Sequence, residues 1–274
     1  MNMLLCLVAI GSAQFLRLTP GVVAQGLGGA SVVVNEGLPL FHNPAYARDM
    51  TFNFTLSRWL YSTNHLAAGA TYEQYLFGIS YLNYGQIQGY DSLGNQTTMF
   101  TPYDMCIGVG RKLGPVGLTI KGFSQRIGDE NLYGLCGSIG AHYSHRPLQI
   151  GTKVDNLGKE FSQNATIPAY VVLGLKYSVT TDLDVLAEAK SSPFEVNSGV
   201  SYSFQGLSFL AGLKYLQSGD QTGNSEPAVD SYDFSYTGGV LIEIEEYWIG
   251  YSIVYSPLGT AHQFSVTLVP HTSN

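Results

Sequence analysis

Few residues in this chain combine the type and spacing that chemistry needs. Gly26-Leu27-Gly28-Gly29-Ala30 has the glycine density of a dinucleotide-binding turn. That turn works only between a strand and a helix of a βαβ unit with an acidic residue further on, and no such unit surrounds it. Close packing of one backbone against another is the reading that fits. His142 and His145 have the spacing of a metal pair on a helix. On a strand the same spacing sends them to opposite faces. The six histidines are scattered, and no Ser or Asp can be paired with one of them. No catalytic residues, metal or cofactor are therefore expected, and the protein does not read as an enzyme.

The informative residues are charges, and alternation places them. From Tyr232 every second residue is apolar, aromatic or Gly through Ile244, whereas the residues between include Asp233, Glu243 and Glu245. A strand sends alternate side chains to opposite faces, so one face is greasy and the other wet. After a reversal at Glu245-Glu246 a second run carries Tyr247, Ile249, Tyr251, Ile253 and Tyr255. Both runs reach the roughly 9–11 residues of a tilted transmembrane strand. Lys121, Lys176, Glu188, Lys214, Glu243 and Glu245 share the inner face of their strands, opposite neighbours such as Leu118, Ile120, Leu173, Leu175 and Leu213. A charge facing lipid at mid-bilayer costs roughly 2–4 kcal/mol, so these six are expected to face a lumen.

The pattern recurs. Fourteen strand candidates lie near 51–59, 65–73, 76–84, 103–112, 116–126, 132–144, 147–155, 168–179, 182–190, 194–204, 207–216, 232–245, 247–256 and 262–269. Turns after even-numbered strands are tight, and the long polar connections, 85–102, 156–167 and 217–231, all follow odd-numbered ones. That sorting is how an outer-membrane barrel is built, with its short turns periplasmic, and a soluble sandwich has no reason to adopt it. Composition agrees: 45% hydrophobic but 12% charged, with 32 Gly and 19 Tyr, against about 25% charge in soluble domains. Many Tyr, together with Trp59 and Trp248, fall near strand ends, where amphipathic rings settle at a bilayer interface. A net charge of −7 without a Lys/Arg cluster argues against nucleic acid as a partner.

Residues 1–13 read as a signal peptide, with an apolar Leu4–Ile10 core and small residues Gly11-Ser12-Ala13 before a cut at Gln14. Residues 14–50 are Gly-rich, too apolar for a solvated tail and not alternating, and 51–270 form the barrel. Cys106 and Cys136 lie within strands two apart and are expected as unbonded thiols.

Gly21-Val22-Val23-Ala24-Gln25-Gly26-Leu27-Gly28-Gly29-Ala30-Ser31, then Phe41-His42-Asn43-Pro44-Ala45, resembles the opening of PorV/PorQ-like outer-membrane proteins, part of the wider FadL-type barrel group. Ser57-Arg58-Trp59-Leu60, the stretch from Val154 to Gly158 followed by Ile167-Pro168, and His262-Gln263-Phe264-Ser265 resemble later pieces in the same order. The resemblance implies a fourteen-stranded barrel in outer-membrane lipid, with residues 14–50 folded into its lumen as a plug. Gly28, Gly29, Ala30, Asn43, Pro44 and Ala45 are the plug motif, in which Asn43 would bond wall or plug backbone and Pro44 fix the bend before the first strand. The function implied is passage or binding of small hydrophobic ligands past that plug. The alternative is a barrel that binds or shuttles secreted protein cargo, as in type IX secretion.

Overall fold

The structure is a computed structural model that describes residues 14–48, 50–59, 62–90, 93–128, 130–162, 166–218, 231–257 and 259–270. The expected signal peptide and most of the 217–231 connection lie outside the described residues. Fourteen antiparallel strands close into one barrel, as the alternation and loop lengths led us to expect. In chain order the elements are β1 (Met50–Arg58), β2 (Asn64–Tyr72), β3 (Tyr75–Asn83), a small hairpin of β4 (Ile87–Tyr90) and β5 (Gln96–Phe100), and then β6 (Tyr103–Leu113) and β7 (Val116–Ile127). They continue with β8 (Glu130–His145), β9 (Leu148–Glu160), β10 (Tyr170–Ser178), β11 (Leu183–Ser191) and β12 (Phe194–Phe204). The last four are β13 (Leu207–Ser218), β14 (Ser231–Ile244), β15 (Tyr247–Ser256) and β16 (Gly259–Leu268). Pairing of β1 with β16 closes the ring, with Phe54 opposite Val266 and Arg58 opposite His262.

Two departures from the expected strands have physical causes. The β4–β5 hairpin stands apart from the barrel, inside what reads as a plain loop. Its strands are four and five residues long, too short for a periodic signal. Strand β9 runs on to Glu160 rather than stopping at Asp155. A register shift opposite Gly137–Ile139, with Asn156 at φ 59°, inserts one extra residue there. Such a bulge breaks the period of two, so the pattern stops where the strand does not.

The two faces differ as the membrane demands. Phe54, Ile107, Ile120 and Leu173 point outward and are exposed, while their neighbours Thr55, Cys106, Lys121 and Val172 are buried inside. Tyr72, Tyr75, Tyr143, Tyr177 and Tyr247 form an exposed girdle at the short-turn end. Three expected belt residues turn inward instead: Trp59 lines a luminal cavity, Tyr84 donates to Asp104 and Trp248 lies under the Arg48 guanidinium. Cys106 and Cys136 are buried, unbonded thiols.

Facing can be tested at two adjacent residues of β7. Ile120 is 64% exposed on the outer wall, so Ile120→Arg should destabilise the inserted barrel by roughly 2–4 kcal/mol in unfolding from lipid vesicles. Thr119 points inward, and its buried hydroxyl has no partner among the described residues. Thr119→Val should therefore be neutral or slightly stabilising in the same titration.

Candidate functional site

Residues 14–48 run through the space the strands enclose. Their structure is irregular: a 3-10 turn at Gln14–Arg17, a short helix α1 at Val22–Gly26 and a second 3-10 turn at Pro44–Tyr46. Irregular backbone at membrane depth survives only where protein satisfies its N–H and C=O groups, and the inner wall does so here. Glu188 Oε2 accepts from the backbone N–H groups of both Ser31 and Val32 at 2.7 Å. Lys153 Nζ donates to Phe41 O at 2.8 Å and Lys112 Nζ to Ala47 O at 2.7 Å. Asn53 Nδ2 donates to Glu36 O, and Thr237 Oγ1 accepts from Gly28 N while donating to Gly26 O.

Glycines in the wall give the segment room. Gly117 faces Pro44: a Cβ there would lie 2.2 Å from the Pro44 carbonyl carbon. Gly199 and Gly212, paired across β12 and β13, admit Leu27 and Gly28 in the same way. Gly28 itself, at φ 75°, has the Leu213 and Ser198 carbonyl oxygens so close that only glycine fits. Gly29 lies beside Asn197, and Ala30 is fully buried with Val32 and Leu186. Asn43 is also fully buried. Its Nδ2 donates to Val32 O in the segment and to Ala141 O in the wall, and its Oδ1 caps Ala45 N at the turn that Pro44 begins.

The expected luminal charges divide. Lys121, Lys176, Glu188 and Lys214 point inward, all with partners. Lys121 Nζ lies 2.6 Å from Asp155 Oδ1, Lys176 pairs with Asp184 at 2.7 Å and Lys214 with Glu195 at 2.9 Å. Glu243 is on the inward side of β14 but exposed at its short-turn end. Glu245 departs from expectation, because β14 ends at Ile244 and Glu245 occupies the turn at φ 52°. A turn residue has no strand face to share. Sequence reading missed Asp155, Lys153, Lys190 and Glu195, which complete the buried ion pairs. Lys153 and Asp155 shared a parity that could have exposed them. Asn156 could not be found so, because the bulge lets it and Asp155 both reach Lys121. The His142 ring packs against Tyr46 inside the barrel, centroids 4.0 Å apart and planes tilted by 59°, while His145 is exposed at the strand end.

Glu36 clasps the segment upon itself. Its carboxylate accepts from Val23 N at 2.7 Å and Ala24 N at 3.0 Å, and His42 Nε2 stands 3.7 Å away, bonded to Pro20 O. Burial lowers the His42 imidazole to about 3, so the two do not form an ion pair at neutral pH. Burial raises Glu36 to about 7, outweighing the two amide bonds that oppose it.

Between segment and wall lies a cavity of about 460 Å³ at the long-loop end. Arg17, Leu18, Thr19, Gln25 and Gly29 of the segment face Trp59, His65, Lys214, Leu216, Val254 and His262 of the wall. Beneath it, Phe15 and Leu16 are buried with Leu82, Phe123 and Ile167. A larger hollow of about 600 Å³ lies on the outer wall over Ala68 and Ala70, between Phe54 and Phe77, where lipid chains reach it. The lumen alone is the candidate site.

Several solved channel proteins share this architecture. The chain is similar to the CymD monoaromatic hydrocarbon channel over 93% of its length and 98% of that chain, at 15% identity and a TM-score of 0.61. This is an outer-membrane barrel fold. The Pseudomonas putida toluene transporter TodX matches over 92% of this chain and 99% of its own, at 13% identity and a TM-score of 0.56. A TodX deltaS2S3 mutant, also described as a monoaromatic hydrocarbon channel, matches at 14% identity and 0.57 over 90% and 97% of the two chains. No family model matches the chain, and no curated protein matches it in sequence.

Two measurements probe how the segment is held. Gly117→Ala should speed hydrogen exchange at Ala45 N, whereas Gly122→Ala, whose nearest neighbour would be a Leu135 methyl at 3.5 Å, should leave it unchanged. For Glu36 a folded-state value of about 7 stands above the ordinary 4.5, so its contribution is full below about pH 4.5 and is lost as pH rises from there through 7. The cost at alkaline pH approaches about 3 kcal/mol. Exchange at Val23 and Ala24, corrected for its intrinsic pH dependence, should rise between about pH 4.5 and 7 and lose that dependence in Glu36→Gln.

Proposed function

We propose that the protein is an outer-membrane channel for a small, largely apolar molecule, with residues 14–48 as its stopper. The observation that carries the reading is the composition of the long-loop cavity, whose inner side is built from the segment and not from the barrel. A molecule arriving from that side meets the part that can move. The segment is held by side-chain hydrogen bonds and glycine seats, and it adds no strand to the barrel sheet. It can therefore shift without opening the ring of strands. The apolar layer of Phe15, Leu16, Leu82 and Phe123 beneath the cavity suits an apolar solute, as does the fold shared with hydrocarbon channels.

A PorV/PorQ-type role in holding a secreted partner is the second reading. The β4–β5 hairpin favours it, since Tyr90, Leu93 and Met99 are exposed there on the long-loop side.

Deleting residues 14–45 should raise single-channel conductance in planar bilayers and speed entry of a small apolar solute into proteoliposomes. Unchanged conductance in a correctly folded deletion variant would sink the stopper and the gated channel with it. Deleting 87–100 should leave both readouts unaltered.

A further inference from the structure

Apart from the site in the lumen, the outer wall carries a charge bias of its own. The chain holds 20 Asp and Glu against 13 Lys and Arg. Yet among the described residues the charged side chains on the lipid-facing side of the barrel strands are Arg58, Arg111, Arg126 and Lys159, all exposed. Every Asp and Glu described on those strands has the inward parity. Three of the four cations stand at the long-loop end. Arg58 closes β1, Arg126 is the last residue but one of β7 and Lys159 the last but one of β9. Among the described residues none of the three enters an ion pair, and Arg126 Nε donates to Gly128 O at 3.3 Å. A charge near the interface costs little whatever its sign, so depth alone does not select cations.

Strand register puts two of these cations in one row. Arg58 lies opposite Asn64, Asn64 opposite Asn83, Asn83 opposite Tyr103 and Tyr103 opposite Arg126. The row crosses four strand spacings, roughly 19 Å from β1 to β7. Below it, on the same side of the barrel, lies the outer hollow of about 600 Å³. Ala68 and Ala70 of β2 are its floor, and Phe54, Phe77 and Ile107 stand around them. Phe54 is four residues down β1 from Arg58, roughly 13 Å. Tyr81 and Tyr103, ring centroids 5.9 Å apart, mark the interface between row and hollow. The hollow reaches from β16 to β6, so it is wide enough for several acyl chains side by side.

We propose that this face of the barrel holds one molecule of a phosphorylated, multi-acyl lipid of the lipid A class, its phosphates at Arg58 and Arg126 and its chains in the hollow over Ala68 and Ala70. The long-loop end of an outer-membrane barrel meets the outer leaflet, where such a lipid is within reach. A guanidinium gives a phosphate paired, charge-assisted hydrogen bonds, and Asn64 and Asn83 present amides to the polar head between the two arginines. The alanine floor takes chains where a larger side chain would push them away. The site stands on the outer wall and does not depend on whether the lumen conducts.

Native mass spectrometry of the full barrel in detergent counts bound lipids directly. The barrel is titrated with diphosphoryl lipid A, with dioleoylphosphatidylglycerol and with dioleoylphosphatidylcholine. It should retain one lipid A, half-saturating at a concentration at least about tenfold lower than either phospholipid. Arg58→Gln should weaken lipid A about tenfold while leaving phosphatidylcholine unchanged. Ala68→Phe, which fills the hollow from the lipid side, should weaken it without touching the charges. Arg111→Gln removes an outer cation at the short-turn end and should have no effect. Equal affinity for the three lipids, indifference to both Arg58→Gln and Ala68→Phe, or an equal loss in Arg111→Gln would each overturn the proposal. So would a dimer of the chain that Ala68→Phe dissolves while lipid A stays unbound, since the hollow would then belong to a second copy.

Discussion

An irregular chain enclosed at membrane depth has to find a partner for every backbone donor and acceptor, and this constraint organises the molecule. Strands meet it through one another around the closed ring. The segment 14–48 cannot, because it joins no sheet. The inner wall therefore carries groups that reach beyond their own strand: Glu188 to two amides, Lys153 and Lys112 to carbonyls, Asn53 and Thr237 to others. Charges that would be ruinous toward lipid become anchors toward the lumen.

Steric fit follows from the same constraint. Backbone can approach backbone only where no Cβ intervenes, so glycine replaces larger residues where the segment touches the wall, as at Gly117 against Pro44 and Gly212 against Gly28. The inward glycines that face the segment thus trace its path, while others such as Gly94, Gly114 and Gly128 lie in open turns. Where the segment meets itself, Glu36 does what the wall does elsewhere, binding two amides at the start of α1. These anchors are spread along the segment, from Gly28 to Ala47.

The same arrangement explains why the candidate site lies where it does. At the long-loop end the segment stops short of filling the ring, and the space left is bounded by Arg17 and Leu18 on one side and Trp59 and Leu216 on the other. Deeper in, ion pairs such as Lys121 with Asp155 satisfy themselves. Nearer the mouth, Arg17 of the segment and Lys214 of the wall line the open cavity.

Much of the barrel was legible from residues alone, because strand alternation and turn length are local properties. They placed fourteen strands, sorted the loops and directed Lys121, Lys176, Glu188 and Lys214 inward. The bulge at Asn156 and the turn at Glu245 escaped, since each breaks the period on which such reading depends. What tertiary structure alone decided is the segment's course and what it leaves open. Gly28 meets Thr237 across 209 residues of sequence, and Arg17 finds the Tyr170 ring. Those outcomes depend on closing the ring, which sets distant residues face to face and is written in no short stretch of chain.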